Sequence, residues 1–273
     1  MPRIKPPPLR RKSLMVWTKS LLREIGIRPR RKYSQNFIVD PTVIRDFIAR
    51  LQLDKPFIEI GCGLGTLSYY LSLSVKKNNL LFEIDGRLAS IAAEIVVPPS
   101  MVIVSDALEH EWIYEQVVSN APYHITSDIL VKLSRTNNVK RAILVLQEDV
   151  VNRITADPGT PTYGRLTVLI KTLFKTSKGP VYPPSSFYPS PEVSSQMIVL
   201  ERIRKYDKDM EMLEEITRIL FSKRRKKAMK VISRDLGVNL DSCRDVSIAP
   251  DLRVYELDPG VLLRLVECLK KSD

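Results

Sequence analysis

Between about residue 56 and residue 156, apolar residues fall in two alternating rhythms. "PFIEIG", "NLLFEID", "SMVIVSDAL", "EQVVSNAPY" and "VKRAILVLQ" are short, dense runs rich in β-branched and aromatic residues, which predict buried strands. "LGTLSYYLSLSV", "RLASIAAEIV", "TSDILVKLSRT" and "EDVVNRITA" lie between or after them and space their apolar residues as helices do. Ahead of the first strand, Asp40 and Pro41 read as an N-cap and a first-turn proline opening a helix to about Leu51. Strand and helix alternating at this spacing call for an α/β fold, a doubly wound, Rossmann-like parallel sheet.

The rhythm then changes. Tyr163–Ile203 shows strand-like runs around a proline-rich stretch, read as an antiparallel pair closing the far edge of the sheet, with Pro183–Pro191 as a surface loop. From about Asp207 the pattern is helical. "MEMLEEITRILFSKRRKKAMKVISRDLG" stops at Gly237, and "DPGVLLRLVECLKK" forms a further helix. The expected organisation is an N-terminal extension over 1–27, an α/β domain over 28–204 and a small all-helical domain over 205–273.

Charge adds a partner. The chain of 273 residues carries a formal charge of +12, concentrated at one end: residues 1–32 hold 11 Lys/Arg against the single acid Glu24. A second cluster is "SKRRKKAMK" at Ser222–Lys230. Basic blocks in an otherwise balanced chain suggest a polyanion, most simply nucleic acid. The candidate contacts are Arg30, Arg31, Lys32, Lys223, Arg224, Arg225, Lys226 and Lys227. A solvated arm or an organelle transit peptide is the other reading of the basic N-terminus. Within it, "SLMVWTKSLLREIGI" can form an amphipathic helix with Leu14, Trp17, Leu21 and Leu22 near one face.

Three scattered cysteines without a CxxC pair, and two histidines, argue against a disulfide framework or a metal site and fit a reducing compartment. No uncharged apolar run approaches about 18 residues, so no membrane span is expected. The cytoplasm is the default location, and a monomer is expected because no apolar oligomerisation stripe stands out.

"EIGCGLGTL" places Gly61, Gly63 and Gly65 between a strand and a helix, where missing side chains let a ligand approach the backbone. A tight turn is the plain alternative. Glu59 precedes the glycines, Glu83 ends the next strand and Asp106 the one after. An acid in the position of Glu83 accepts hydrogen bonds from ribose hydroxyls, and one in the position of Asp106 suits an adenine amine. With no P-loop lysine, the site suits an adenosine attached to a cation better than a triphosphate or a nicotinamide dinucleotide. S-adenosylmethionine is such a molecule, and the adjacent Ile84 and Ala107 join its candidate contacts.

"NAPY" follows the fourth strand and emerges at the same edge. An adenine N6 is a weak nucleophile because its lone pair is delocalised into the ring. The side-chain oxygen of Asn120 and the backbone carbonyl of Ala121 can accept its two hydrogens and free that pair. Pro122 stiffens the turn and Tyr123 can stack on the base, worth about 1–3 kcal/mol. Phe187 is a candidate second stacking face, or else a buried loop anchor.

Eight ordered stretches resemble the ribosomal RNA adenine dimethyltransferase family: "YSQNFIVD", "EIGCGLGTLS", "FEID", "SDAL", "NAPY", "LQEDVVNRITADPGTPTYGRLTV", "FYPSPEVSS" and "FSKRRKKAM". The resemblance runs from about Arg28 onward. It implies a metal-free enzyme that dimethylates N6 of two adjacent adenosines near the 3′ end of small-subunit rRNA, in small-subunit biogenesis. It implies S-adenosylmethionine contacts from Asn36, Ile38, Gly61, Glu83, Asp106 and Asn120, and a lid made by Gln35, Asn36 and Ile38. It also implies base stacking by Tyr123 and Phe187 and a helical domain that docks on the small subunit. The chain departs from the family where Ala121 replaces a usual Leu and Ser34 a frequent Gly. Alternatives are a sister enzyme acting on large-subunit rRNA and a ribosome-assembly factor that has lost catalysis.

Overall fold

The computed structural model describes residues 4–27, 36–240, 243 and 245–270. The chain divides into two compact units, Met1–Glu148 with Ser177–Glu201, and Asp149–Thr176 with Arg202–Asp273. The second unit thus includes a segment, 149–176, that the sequence reading grouped with the first.

The first unit begins with α1 (Arg11–Glu24), β1 (Phe37–Ile38) and α2 (Pro41–Ile48). Next come β2 (Phe57–Ile60), α3 (Thr66–Ser74), β3 (Leu80–Glu83), α4 (Gly86–Ile95) and β4 (Met101–Val104). β5 (Gln116–Asn120), α5 (Thr126–Arg135) and β6 (Arg141–Gln147) complete the alternation. Beyond it lie α6 (Glu148–Ile154), α7 (Arg165–Leu173), β7 (Phe174–Tyr182), β8 (Phe187–Tyr188) and β9 (Ser195–Arg202). The remaining helices are α8 (Lys208–Phe221), α9 (Ala228–Asp235) and α10 (Pro259–Lys270).

The main sheet has seven strands in the order β4-β3-β2-β5-β6-β9-β7. β4, β3, β2, β5 and β6 pair in parallel, and β9 runs antiparallel to β6. This is the Rossmann-like sheet that the alternating pattern predicts. β2 is buried along its whole length, as a strand covered on both faces must be. Phe47, Phe57, Leu71, Val118, Ile143 and Val145 fill the core around it. Asn79, fully buried, closes the lower end of the sheet: its Oδ1 accepts the Phe57 N–H at 3.1 Å, and its Nδ2 donates to Val75 O and Ser100 Oγ.

Residues 4–27 of the basic N-terminus are not a solvated arm. α1 buries Leu14, Leu21 and Leu22, and Ile27 follows them into the core. At about 1.5–3 kcal/mol for each large apolar side chain, this packing anchors the helix firmly. The segment ahead of α1 is fastened as well, by Tyr70 Oη donating to Pro7 O and by Trp17 Nε1 donating to Lys5 O at 2.9 Å.

Three other expectations are corrected. "RLTVLIKTL" forms helix α7, not a strand, although its β-branched residues suit either. Thr167 decides the matter locally: its Oγ1 accepts the Gly164 N–H at 3.0 Å and donates to Arg153 O at 2.8 Å, closing the first turn. The proline-rich stretch is not a free surface loop, because β8 pairs antiparallel with β1 and Ser186 and Phe187 are buried. In the second unit, Cys243 and Cys268 form a disulfide with Cα atoms 5.6 Å apart. Their separation of 25 residues hides a contact that only the placement of α10 creates, and closing a loop of that length contributes about 3–4 kcal/mol. The cysteine pattern therefore does not argue for a reducing compartment.

Among the described residues, no helix is long and apolar enough to cross a membrane. The turn between β2 and α3 sets a firm constraint on the fold. Gly65 has φ +75°, and a Cβ there would lie 2.9 Å from the Ala92 Cα in α4. Gly65→Ala should therefore cost about 1–3 kcal/mol. Chemical denaturation measures the loss, and an unchanged midpoint would show that α3 and α4 can separate at no cost.

Candidate active site

The C-terminal ends of β2, β3, β4 and β5 open on one cavity of about 820 Å³. Its wall includes Asn36, Ile38, Glu59, Gly61, Gly63, Glu83, Ile84, Asp106, Ala107, Asn120, Ala121, Pro122 and Tyr123. These residues come from five separate parts of the chain. Gly65 lies just behind the wall as the N-cap of α3. Gln35, Arg30, Arg31 and Lys32 lie outside the described residues.

The glycine turn is a cradle. At Gly63, which has φ +57°, a Cβ would come within 3.3 Å of the Phe37 ring, and the bare N–H donates to Glu83 Oε2 at 2.8 Å. Glu83 Oε1 accepts the Asp85 N–H at 3.0 Å. Both carboxylate oxygens are thus oriented by backbone N–H groups at the cavity wall. Burial raises the pKa of Glu83 against those hydrogen bonds. Asp106 Oδ1 caps the following turn through the Leu108 N–H at 2.8 Å. That turn is held from behind by the fully buried Trp112, whose Nε1 donates to Ala107 O, and by Lys132, whose Nζ donates to Leu108 O.

Glu59 is the most deeply buried acid in the wall. It is 2 % exposed, and its Oε2 has no hydrogen-bond partner among the described residues. Burial pushes its pKa up to about 8 against the opposing effect of the nearby Ser68 hydroxyl, and the Glu83 carboxylate adds to the rise. An orphaned buried acid, a glycine cradle and a row of carboxylates fit a cationic adenosine derivative. Apolar walls come from Phe37, Leu64 and Ile84.

At the chemistry end, Asn120 is the last residue of β5 and pairs with Val145. Its Nδ2 donates to Asn36 O at 2.9 Å. A carbonyl can only accept, so the amide is fixed with its nitrogen toward Asn36 and its Oδ1 left as an acceptor. Ala121 continues the ladder through its N–H to Val145 O at 3.1 Å. Tyr123 is half-buried, and its hydroxyl shares a hydrogen bond with Ser195 Oγ at 2.8 Å. Phe187 is not brought to this cavity. It is 1 % exposed, in the core beside Ile38, its partner across the β1–β8 pair.

Sequence reasoning missed Arg11. From α1, its guanidinium donates to Ser185 O at 2.7 Å and Ser185 Oγ at 2.9 Å, and lies 4.0 Å from Asp40 Oδ2. Ser186 O in turn accepts the N–H groups of Val39 and Asp40. Arg11 therefore ties β8 to the segment that carries Asn36 and Ile38. No spacing signal marks such a residue, because its partners lie 29 and 174 positions away.

The second basic cluster is not the continuous helical face its pattern suggests. Lys223–Lys227 form the turn between α8 and α9. Lys223 pairs with Asp235, Lys227 with Asp251, and Arg224 donates to Thr160 O and Pro161 O while lying over the Tyr255 ring. Arg225 and Lys226 are exposed.

A parallel sheet with a glycine cradle after β2, and acids at the ends of the next two strands on one side, β3 and β4, defines an S-adenosylmethionine-dependent methyltransferase of the Rossmann-like class. The particular family follows from comparison. The chain belongs to the ribosomal RNA adenine dimethylase family, whose model matches residues 26–271. It is therefore an rRNA adenine dimethyltransferase. It is 30% identical over 266 residues to the ribosomal RNA small subunit methyltransferase A of Leuconostoc mesenteroides, covering 89% of this chain and 88% of that one. It is 31% identical over 266 residues to a probable ribosomal RNA small subunit methyltransferase A of Thermococcus kodakarensis, covering 93% and 94%. Among solved structures, a Plasmodium falciparum dimethyladenosine transferase shares the fold with TM-score 0.72 at 24% identity, over 86% of this chain and 98% of that one. The 23S rRNA methyltransferase ErmE matches with TM-score 0.68 at 26% identity, over 86% and 100%.

The Glu59 proton makes stability depend on pH. The unfolded chain releases it near the ordinary value of 4.5, whereas the folded chain keeps it up to about 8. Between those values the unfolded state binds fewer protons, so stability falls as pH rises. Glu59→Gln should flatten that slope, gaining stability over the parent at pH 8 and losing the gain toward pH 4.5. Denaturation midpoints across this range test it, and a difference that does not change with pH would rule out a buried protonated Glu59.

Proposed function

We propose that the protein dimethylates N6 of two adjacent adenosines near the 3′ end of small-subunit rRNA, as a monomer acting in the cytoplasm on the small subunit during its assembly. The observation that carries the reading is the fixed amide of Asn120 beside the Ala121 carbonyl at the mouth of the cavity. The small-subunit target rests on the two relatives that carry that name.

In this reading S-adenosylmethionine supplies an electrophilic methyl group on a sulfonium. Glu83 orients the ribose, Asp106 with Ala107 and Ile84 frames the adenine, and Gly61 and Gly63 let the backbone run close. Gly65 permits the turn, Ile38 closes the lid side, and Glu59 faces the cationic end. The target base leaves its stack to enter, which costs a few kcal/mol and least in single-stranded RNA. In the first transfer Asn120 Oδ1 and the Ala121 carbonyl would accept hydrogen bonds from the two N6 hydrogens, drawing the lone pair out of conjugation; in the second, one of them would hold the single hydrogen that remains, and the proton displaced from nitrogen in each transfer would leave to solvent. Pro122 holds these acceptors in place and Tyr123 stacks on the ring. Positioning and fixed dipoles are the main catalytic contributions. Phe187 supports this arrangement from the core, behind Ile38. Ala121 contributes a carbonyl that any residue has, so its departure from the family's usual Leu leaves the acceptor pair intact.

Under-methylated small and large ribosomal subunits, incubated with labelled S-adenosylmethionine and mapped by mass, test the substrate. Paired dimethyladenosines in small-subunit rRNA are expected. Label confined to large-subunit rRNA would replace the proposal with the sister activity, and cofactor binding without transfer would indicate an assembly factor. Asn120→Ala should lower the rate of transfer by about 100-fold or more, by analogy with loss of one oriented polar group at a transition state, while RNA affinity stays. A rate within a few-fold of the parent would remove Asn120 from the chemistry.

A further inference from the structure

We propose that the solvent face of α1 is a docking platform for the sugar–phosphate backbone of the RNA substrate, beside the cavity that receives the base. The inference rests on the rRNA reading above and adds a surface to it.

Lys12, Lys19 and Arg23 stand at i, i+7 and i+11, which places them on one stripe of the helix. The buried residues Leu14, Thr18, Leu21 and Leu22 occupy the opposite side. The stripe is held in place by that packing and does not depend on RNA for its order. At about 1.5 Å per residue it is roughly 16 Å long, enough to follow about five nucleotides of a stacked strand at ~3.4 Å each.

Its charges are available. Lys12 and Arg23 are exposed and have no ion-pair partner among the described residues. This contrasts with Lys223, Arg224 and Lys227 of the larger basic cluster, which already have protein partners. Holding unpaired cations in a row costs self-repulsion that a polyanion would relieve.

Its position is also apt. The C-terminal end of the helix runs into Gly26 and Ile27, which line the cavity. Lys19 Nζ sits 4.9 Å from the centroid of the Tyr188 ring. Tyr188 is half-exposed on β8, paired with the cavity residue Phe37. A cation on an aromatic face at the end of a basic stripe suits a strand whose phosphates run along the helix and whose bases turn toward the protein.

The test uses the full-length double variant Lys12→Gln/Arg23→Gln and a labelled 3′-terminal fragment of small-subunit rRNA. Both positions are exposed, so melting temperature and cofactor affinity should match the parent. Affinity for the fragment should fall, and the slope of log affinity against log salt should lose about 1.4 in magnitude, about 0.7 per single-strand phosphate contact. The transfer rate at saturating RNA should stay unchanged. An unchanged slope would overturn the platform, and so would an equal loss in Val16→Ser, which alters the same exposed face without removing charge. If the unaltered protein methylates only large-subunit RNA, the substrate proposal fails by itself, and the same slope comparison on that RNA still decides the platform.

Discussion

Everything at the active site depends on parallel strand pairing. Because β4, β3, β2 and β5 run in the same direction and in register, their C-terminal ends meet at one edge. Glu83, Asp106 and Asn120 are separated along the chain by 23 and 14 residues, yet all three line one cavity. The price of that arrangement is a central strand buried on both faces, and it dictates the apolar, β-branched character of β2, β5 and β6. The glycine cradle follows from the same constraint. The chain must leave β2 and start α3 within a few residues, under the helix α4 that packs on top, and only glycine fits at position 65.

A second network lies across that edge. The Asn36 carbonyl accepts from Asn120, β1 pairs with β8, and Arg11 fastens β8 to the segment around Asp40. The Asn120–Asn36 contact is partly buried, where a missing partner costs more than the bond itself contributes, whereas the Arg11 contacts lie at the surface. The acceptor amide is therefore oriented by backbone that α1 helps to hold. The basic N-terminus acts in the fold first, through its apolar side, and its charge is carried outward by that same packing.

Much of the site was readable because its chemistry demands particular residues at particular strand ends. Gly61, Gly63, Glu83, Asp106 and the Asn120–Tyr123 turn are recognisable from spacing, since a glycine turn or a terminal acid has few substitutes there. Arg11, Trp112 and Lys132 were not readable, because many residue types can hold a backbone carbonyl from a distance. Phe187 shows the opposite failure. An aromatic residue in a proline-rich stretch suits a stacking face or a core anchor equally, and its burial beside Ile38 is visible only in three dimensions.

The sequence by itself determined the class of fold, the edge of the sheet that carries the chemistry and the kind of ligand that edge accepts. Periodicity and backbone-restricted residues act locally, so they survive being read one residue at a time. The tertiary structure decided what depends on long-range neighbours: that Arg165–Leu173 is a helix, that Cys243 meets Cys268, and that α1 belongs to the core. It also decided which of the described basic residues have protein partners, as Lys223 and Lys227 do, and which stand exposed, as Lys12 and Arg23 do. Charge is a property of composition, but availability is a property of packing.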